Sequence, residues 1–323
     1  MRGSYLPYGK QWIEDDDIEA VVNVLKSDFL TTGPAIKQFE EKVADYVGAK
    51  YAVAFSNGTA ALHGACFVAG IGEGDEVITT PITFAASANC VRYVGGTVVF
   101  ADINEDTYNI DPIEIEKKIT TRTKAIIPVH FTGQPAEVYA IHSLAKKHNL
   151  IVIEDCDMNM FSFHPVKHVT TGEGGVITTD NEEYYKNLLK FRSHGITRDG
   201  QSLSRNDGPW YYEMQFLGYN YRMTDIQAAL GNSQLNKLDG FIARRREIVN
   251  MYNDAFQNHD CIVTPKQLLE ANSSWHLYII QLKLQKLNAT RREIFESLVT
   301  QNIGVNVHYI PVHTLGYYQN LGY

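Results

Sequence analysis

The chain opens in helical rhythm. Between Glu14 and Ser27 the apolar residues Ile18, Val21, Val22 and Leu25 fall at i, i+3, i+4 and i+7, behind the acidic run Glu14–Asp17. That spacing predicts a helix with one apolar face, and carboxylates suit its N-terminus. Ile36, Phe39, Val43 and Val47 draw a second stripe, which predicts a helix over Ala35–Val47. Then the rhythm changes. Tyr51–Phe55 (YAVAF), Glu76–Thr80 (EVITT), Thr97–Ala101 (TVVFA), Lys124–Val129 (KAIIPV) and Leu150–Glu154 (LIVIE) are short runs rich in β-branched and aromatic residues. Helix-type stretches separate them: Ala60–Ala69, Ala85–Val94, Pro112–Ile119 and Ala136–His148. Strands that are almost wholly apolar and alternate with helices predict a mainly parallel sheet covered on both faces.

Further on, Met223–Phe256 reads as one long helical region carrying many charges. After Asp260 a smaller unit is expected: a strand over Leu277–Lys283, a helix over Thr290–Thr300 and a strand over Gly304–Tyr309. We place the division at residue 240, giving a large domain over 1–240 and a small, incomplete one over 241–323.

Composition narrows the class. At 323 residues and 44% hydrophobic residues the chain can bury a large core. Its formal net charge is −8 and no basic cluster runs along it, so nucleic acid is not the expected partner. No apolar run exceeds strand length, so neither a membrane span nor a cleavable signal is expected. Cys66, Cys90, Cys156 and Cys261 lie far apart with no C-x-x-C pair. That argues against a zinc site or a disulfide scaffold, and the expected setting is the reducing cytoplasm.

Parallel sheets place ligand sites at the carboxyl ends of their strands, so the residues there matter most. After YAVAF comes SNGTAAL (56–62), a glycine turn feeding a helix. Its free N–H groups and the hydroxyls of Ser56 and Thr59 suit a phosphate, although an ordinary N-cap turn looks the same. After EVITT comes Phe84, either core or a plate for a flat ring. After LIVIE comes Asp155, whose carboxylate must be solvated, paired or holding a protonated ring nitrogen. Then FSFHPVKHVTTGEGG (161–175) steers one lysine, Lys167, out of a strand-like run and past a proline. A surface lysine needs no such setting; a lysine entering a desolvated pocket loses pKa and becomes a nucleophile. One cofactor uses all four features. Pyridoxal 5′-phosphate needs a lysine for its aldehyde, an acid for its ring nitrogen, donors for its phosphate and a plate for its ring.

At this point the chain resembles the DegT/DnrJ/EryC1/StrS sugar aminotransferases. The segments that carry the resemblance are LTTGPAIKQFEEKVADYVGAKYAVAFSNGTAALH, DEVITTPITFAASAN, VHFTGQPAE, IVIED, FSFHPVKHVTTGEGG, FRSHGI, GYNYRMTDIQAALG and VHYIPVH, in that order over almost the whole chain. The resemblance implies the aspartate aminotransferase-like (type I) α/β fold, with a mainly parallel sheet between helices and a small C-terminal α/β domain. It implies Lys167 as the Schiff-base lysine, Asp155 on the pyridine nitrogen and Phe84 in the ring-stacking position. Gly58, Thr59 and Ser162 belong by the same resemblance to the phosphate site. Asn220, in GYNYRM, is similar to the asparagine that reaches the phosphate in the neighbouring subunit, which implies a homodimer with shared sites. His308 and His313 stand where relatives approach the sugar nucleotide; as ordinary polar residues they read equally well. No chemistry is assigned to His164 or His168.

FSFHPVKHVTTGEGG with FRSHGI resembles most the members that use L-glutamate to aminate C4 of a UDP-linked 4-keto-6-deoxy sugar on the route to pseudaminic acid. Other UDP-, dTDP- or GDP-linked keto sugars remain open. A sugar dehydratase of the same family would carry histidine in place of Lys167. A ligand sensor would be expected to carry an added DNA-binding domain. Gly70–Gly74 and GEGG (172–175) lack the full dinucleotide fingerprint. The chain departs from the family twice. Between Asp155 and the lysine strand only Cys156 to Phe161 intervene, where relatives have a longer segment with a ring-side histidine or glutamine. The chain also stops at Tyr323, before the family's last helices. Residues are therefore expected to be missing near Cys156 and after Tyr323, and an intact mass well above 36.4 kDa checks this.

Overall fold

The structure is a computed structural model that describes residues 3–154 and 158–323. Helices α1 (Asp15–Leu25) and α2 (Pro34–Val47) lead into β1 (Tyr51–Phe55) and α3 (Gly58–Val68). Alternation follows: β2 (Glu76–Thr79), α4 (Ala86–Tyr93), β3 (Thr97–Phe100), α5 (Pro112–Lys118), β4 (Thr123–Ile127), α6 (Val138–His148) and β5 (Ile151–Val152). A hairpin of β6 (Asn159–Ser162) and β7 (Gly175–Thr179) precedes α7 (Glu182–Phe191) and the short pair β8 (Ile196–Thr197) and β9 (Glu213–Met214). The chain continues through α8 (Asp225–Leu235), α9 (Leu238–Phe256), β10 (Ile262–Val263), β11 (Gln281–Leu282), α10 (Arg291–Thr300) and α11 (Gly316–Asn320).

The expected parallel sheet is present in the order β3-β2-β4-β5, all parallel. Beside it β7 lies between β1 and β6, antiparallel to both. Alternate side chains face opposite layers, as a strand requires. Val53, Phe55, Val77 and Ile177 pack on α3 and α4. Ala52, Ala54 and Val176 face the α2 layer with Phe39, and Ile78 and Ile126 face the layer of α5 and α6. Phe39 and Phe55 are wholly buried, and burying such a side chain contributes about 2 kcal/mol. Both faces of the sheet are thus covered, which leaves the strand ends free to carry chemistry.

Three expectations need correction. Met223–Phe256 is two helices, α8 and α9, broken at Asn236 and Lys237. There Lys237 leaves the helix to meet the carboxylates of Glu14, Asp16 and Asp17 on α1. Leu277–Lys283 shortens to the two residues of β11, paired with β10. Gly304–Tyr309 is extended chain with no ladder; only Ile303 forms a bridge, to Leu6. A β-branched run without a neighbouring strand cannot become sheet. Residue 240, the expected division, lies in the first turn of α9. Among the described residues no helix is long and apolar enough to cross a membrane.

Candidate active site

The stretch that raised the lysine question is a β-hairpin, and Lys167 sits in its loop. Ser162 of β6 pairs with Gly175 of β7. Just beyond, Phe163 N–H donates to the Gly174 carbonyl (2.9 Å) and Thr171 N–H to the Phe163 carbonyl (3.0 Å). Lys167 N–H closes a turn on the His164 carbonyl (2.8 Å). The glycines answer to a neighbour: a Cβ on Gly175 would lie 2.6 Å from the Asn57 carbonyl oxygen and 2.8 Å from Gly58 Cα. Without side chains there, the hairpin reaches the start of α3. The Lys167 side chain is largely buried, and burial pushes its ammonium below the ordinary lysine value.

That start of α3 is the suspected phosphate cradle. Asn57 caps the helix through its side-chain oxygen, which accepts from Ala60 N–H (2.8 Å). The N–H groups of Gly58 and Thr59, in the first turn, have no intrahelical acceptor, as at any helix start. Gly58 faces Ser162 so closely that an added Cβ would lie 3.3 Å from both Cβ and Oγ of the serine. Two predicted site residues 104 positions apart thus meet at one helix N-terminus, beside the lysine hairpin. Helix N-termini attract anions through those N–H groups and the helix dipole.

Phe84 follows β2 and is 64% exposed, so it is no core residue. Asp155 lies outside the described residues. Immediately before it, Ile153 is buried and Glu154 pairs with His130 (3.1 Å). Asn220 is exposed. Its backbone bridges Ser193, and two residues on Arg222 bridges Phe55 at the end of β1. Among the described residues no hydrogen bond joins it to Lys167 or Gly58. His308 is brought close to the lysine: burial, and then the Lys167 charge, hold its imidazole below the ordinary value. Its ring lies 5.7 Å from that of Tyr8. His313 sits elsewhere, 6.0 Å from the ring of Phe100. Neighbouring Val312 N–H donates to the Pro81 carbonyl (2.9 Å), which ties this segment to the loop bearing Phe84.

Sequence reading passed over three residues beside the lysine. His168 Nε2 lies 2.8 Å from the Ser274 carbonyl oxygen; burial first, then the Arg245 charge, push its pKa down to about 4. The His276 ring is 5.8 Å from that of His168. Burial, followed by the Lys167 charge, holds it down to about 2. Arg245, in α9, donates to the carbonyls of Trp275 (3.2 Å) and His276 (2.9 Å). Nothing in SSWHLY marks His276. Arg245 had one readable signal: it stands one turn before buried Val249, on the inward face of α9.

Comparison with known proteins adds to this geometry. The profile described as the DegT/DnrJ/EryC1/StrS aminotransferase family matches residues 11–323. The chain is 42% identical to the spore coat polysaccharide biosynthesis protein SpsC of Bacillus subtilis, over 98% of this chain and 86% of that protein. It is 38% identical to the UDP-4-amino-4,6-dideoxy-N-acetyl-beta-L-altrosamine transaminase of Campylobacter jejuni, again over 98% and 86%. Among solved structures, Helicobacter pylori PseC, an aminotransferase involved in the biosynthesis of pseudoaminic acid, superposes with a TM-score of 0.90 at 34% identity, covering 98% of this chain and 88% of that one. Spr1654 of Streptococcus pneumoniae in its PLP form gives 0.88 at 31% identity, covering 99% and 88%.

Proposed function

Because the chain belongs to the DegT/DnrJ/EryC1/StrS aminotransferase family, we propose that it moves the amino group of L-glutamate to C4 of a UDP-linked 4-keto-6-deoxy sugar. The product is UDP-4-amino-4,6-dideoxy-N-acetyl-β-L-altrosamine. The likeness to the Campylobacter jejuni transaminase and to PseC supports this substrate over other keto sugars of the family. The observation that carries the reading is the desolvated Lys167 amine beside a helix start at which Gly58 and Ser162 meet.

These residues fit pyridoxal 5′-phosphate. The space kept open by Gly58 accepts a phosphate, and the exposed ring of Phe84 offers a flat face. When bound, the cofactor supplies an aldehyde that receives the amino group and a ring that withdraws electrons from the carbon being deprotonated. The chain's own residues do the rest. Gly58 and Thr59 N–H groups and the Ser162 hydroxyl bind the phosphate. Lys167 would hold the aldehyde, and its amine would take the proton from Cα of the donor and return one, as base and then acid. Its lowered pKa is what that role needs. Asp155 is assigned to the pyridine nitrogen.

The proposed large unit, 1–240, holds all of these cofactor residues; the small unit, 241–323, brings His308 and His313 toward the sugar nucleotide. Asn220 is assigned to the phosphate of a second copy, so the working form is a homodimer. The enzyme is placed in the cytoplasm, in keeping with the free thiols of Cys66, Cys90 and Cys261.

The test is a panel of UDP-, dTDP- and GDP-linked 4-keto sugars with L-glutamate, following 2-oxoglutarate release. The UDP-linked 4-keto-6-deoxy N-acetyl sugar should lead in kcat/KM by about tenfold or more. A dTDP- or GDP-linked sugar in first place contradicts the proposed substrate.

A further inference from the structure

We propose that Arg245 is a positioning residue for Lys167, acting through the strap of residues 273–277. The inference rests on reading Lys167 as the cofactor lysine.

The strap crosses between three parts of the molecule. On one side it lies against the turn after β4: Ser274 N–H donates to the Gly133 carbonyl (2.9 Å) and Leu277 N–H to the Thr132 carbonyl (3.2 Å). The fit is tight. A Cβ on Gly133 would stand 2.5 Å from Ser274 Oγ and 2.7 Å from the His276 nitrogen. On the second side the Ser274 carbonyl holds His168 Nε2 at 2.8 Å, and a carbonyl only accepts, so that nitrogen carries the proton. On the third side Arg245 Nη1 donates to the next two carbonyls, those of Trp275 and His276. Three successive carbonyls are therefore spoken for. One goes to the residue next to Lys167 and two go to a helix of the C-terminal unit.

The lysine loop needs this anchor. Several of its hydrogen bonds over residues 164–170 close within the loop, among them Lys167 to His164 and Thr170 to Phe163. The strap ties this tip to a distant segment, through the contact of His168 with the Ser274 carbonyl and through the His276 imidazole, which reaches the Val166 backbone. Arginine suits the far end because its Nη1 carries two donors, one for each carbonyl, and the guanidinium stays charged when desolvated. It forms no ion pair among the described residues, so the strap carbonyls are its partners. Losing it leaves two carbonyls without their donor and frees the strap that holds His168.

Hydrogen exchange and cofactor capture test this together. In cofactor-free protein, Arg245→Gln should speed exchange of the amides in 163–174 about tenfold, while Arg244→Gln, on the exposed face and paired with Glu247, leaves them unchanged. Capture of pyridoxal 5′-phosphate, which must bond the lysine, should slow about tenfold. Affinity for pyridoxamine 5′-phosphate, which forms no such bond, should stay within about threefold. Arg245→Lys should fall between, and His168→Gln, which cuts the link one step nearer the lysine, should reproduce the pattern if Arg245→Gln does not fold. Unchanged exchange in 163–174 overturns the proposal, as does equal weakening of both cofactor forms. If the native chain captures no pyridoxal phosphate at all, the proposed function fails, and the exchange result still decides the coupling.

Discussion

Lys167 is an amine whose burial weakens its hold on a proton. In its proposed role it both bonds the cofactor and carries the proton, so Lys167→Ala should lose roughly a thousandfold or more in amino transfer. The loss should show in the donor half-reaction as well as in turnover. Its neighbours predict acid sensitivity. His168 is held down to about 4 by burial and then by Arg245, against an unfolded value near 6.5. Between those values the unfolded chain binds more protons than the folded one. Stability therefore rises with pH across that window and is lost as pH falls from about 6.5 toward 4. Melting curves from pH 4 to 8 should show this slope, and His168→Gln should lessen it, leaving the share of His276, which burial also holds down. A parallel slope in the variant would show that His168 does not drive it. At this scale the sequence was readable where local chemistry is unusual. A lysine leaving a strand beside glycines, and a glycine turn entering a helix, each point to a site. Phe84 was ambiguous because exposure cannot be read from a strand end. His276 was invisible, and Arg245 showed only its place on the inward face of a helix, because the role of both depends on a strap that reaches the lysine from more than a hundred residues away.

Among the elements, amphipathic helices were legible almost to their ends. The stripe of Ile36, Phe39 and Val43 became α2 with those side chains buried. The break between α8 and α9 was not legible, since helical character continues through Asn236 and Lys237. What makes the break is a tertiary contact. Lys237 lies among three α1 carboxylates, one of them the fully buried Asp17, 2.9 Å away. Gln234 and Glu14 N–H also serve Asp17, so Lys237→Met should cost roughly 3 kcal/mol, near the lower end for removing one partner of a buried pair. Urea unfolding measures it, and a loss under about 0.5 kcal/mol would mean the contact behaves as a surface pair. A second element-scale test concerns the cradle. Gly58→Ala presses a methyl onto Ser162 at 3.3 Å, so the fold should survive while affinity for pyridoxamine 5′-phosphate drops about tenfold. The expected strand at 304–309 failed for a physical reason: its β-branched residues have no partner strand to pair with.

For the molecule as a whole, the alternation of strands and helices was enough to foresee a parallel sheet between helical layers. It was not enough to foresee that β7 would run antiparallel between β1 and β6. The proposed shared-site homodimer makes a sharp prediction. Lys167→Ala and Asn220→Ala chains, each nearly inactive alone, should regain about a quarter of native activity when unfolded together and refolded. Half the dimers are then mixed, and each mixed dimer rebuilds one intact site. No recovery in dimers shown to be mixed would place Asn220 outside the partner's site. In the proposed reaction Lys167 bonds pyridoxal 5′-phosphate and carries the proton while the amino group of L-glutamate passes to the cofactor. The visible absorption spectrum of native protein and of Lys167→Ala, each with pyridoxal 5′-phosphate and then with L-glutamate, tests it most directly. The native chain should show a yellow band that bleaches on adding glutamate, and the variant should neither form that lysine-linked band nor catalyse the bleaching. An identical, glutamate-responsive band in both proteins, or none in the native chain with cofactor in excess, would contradict the account.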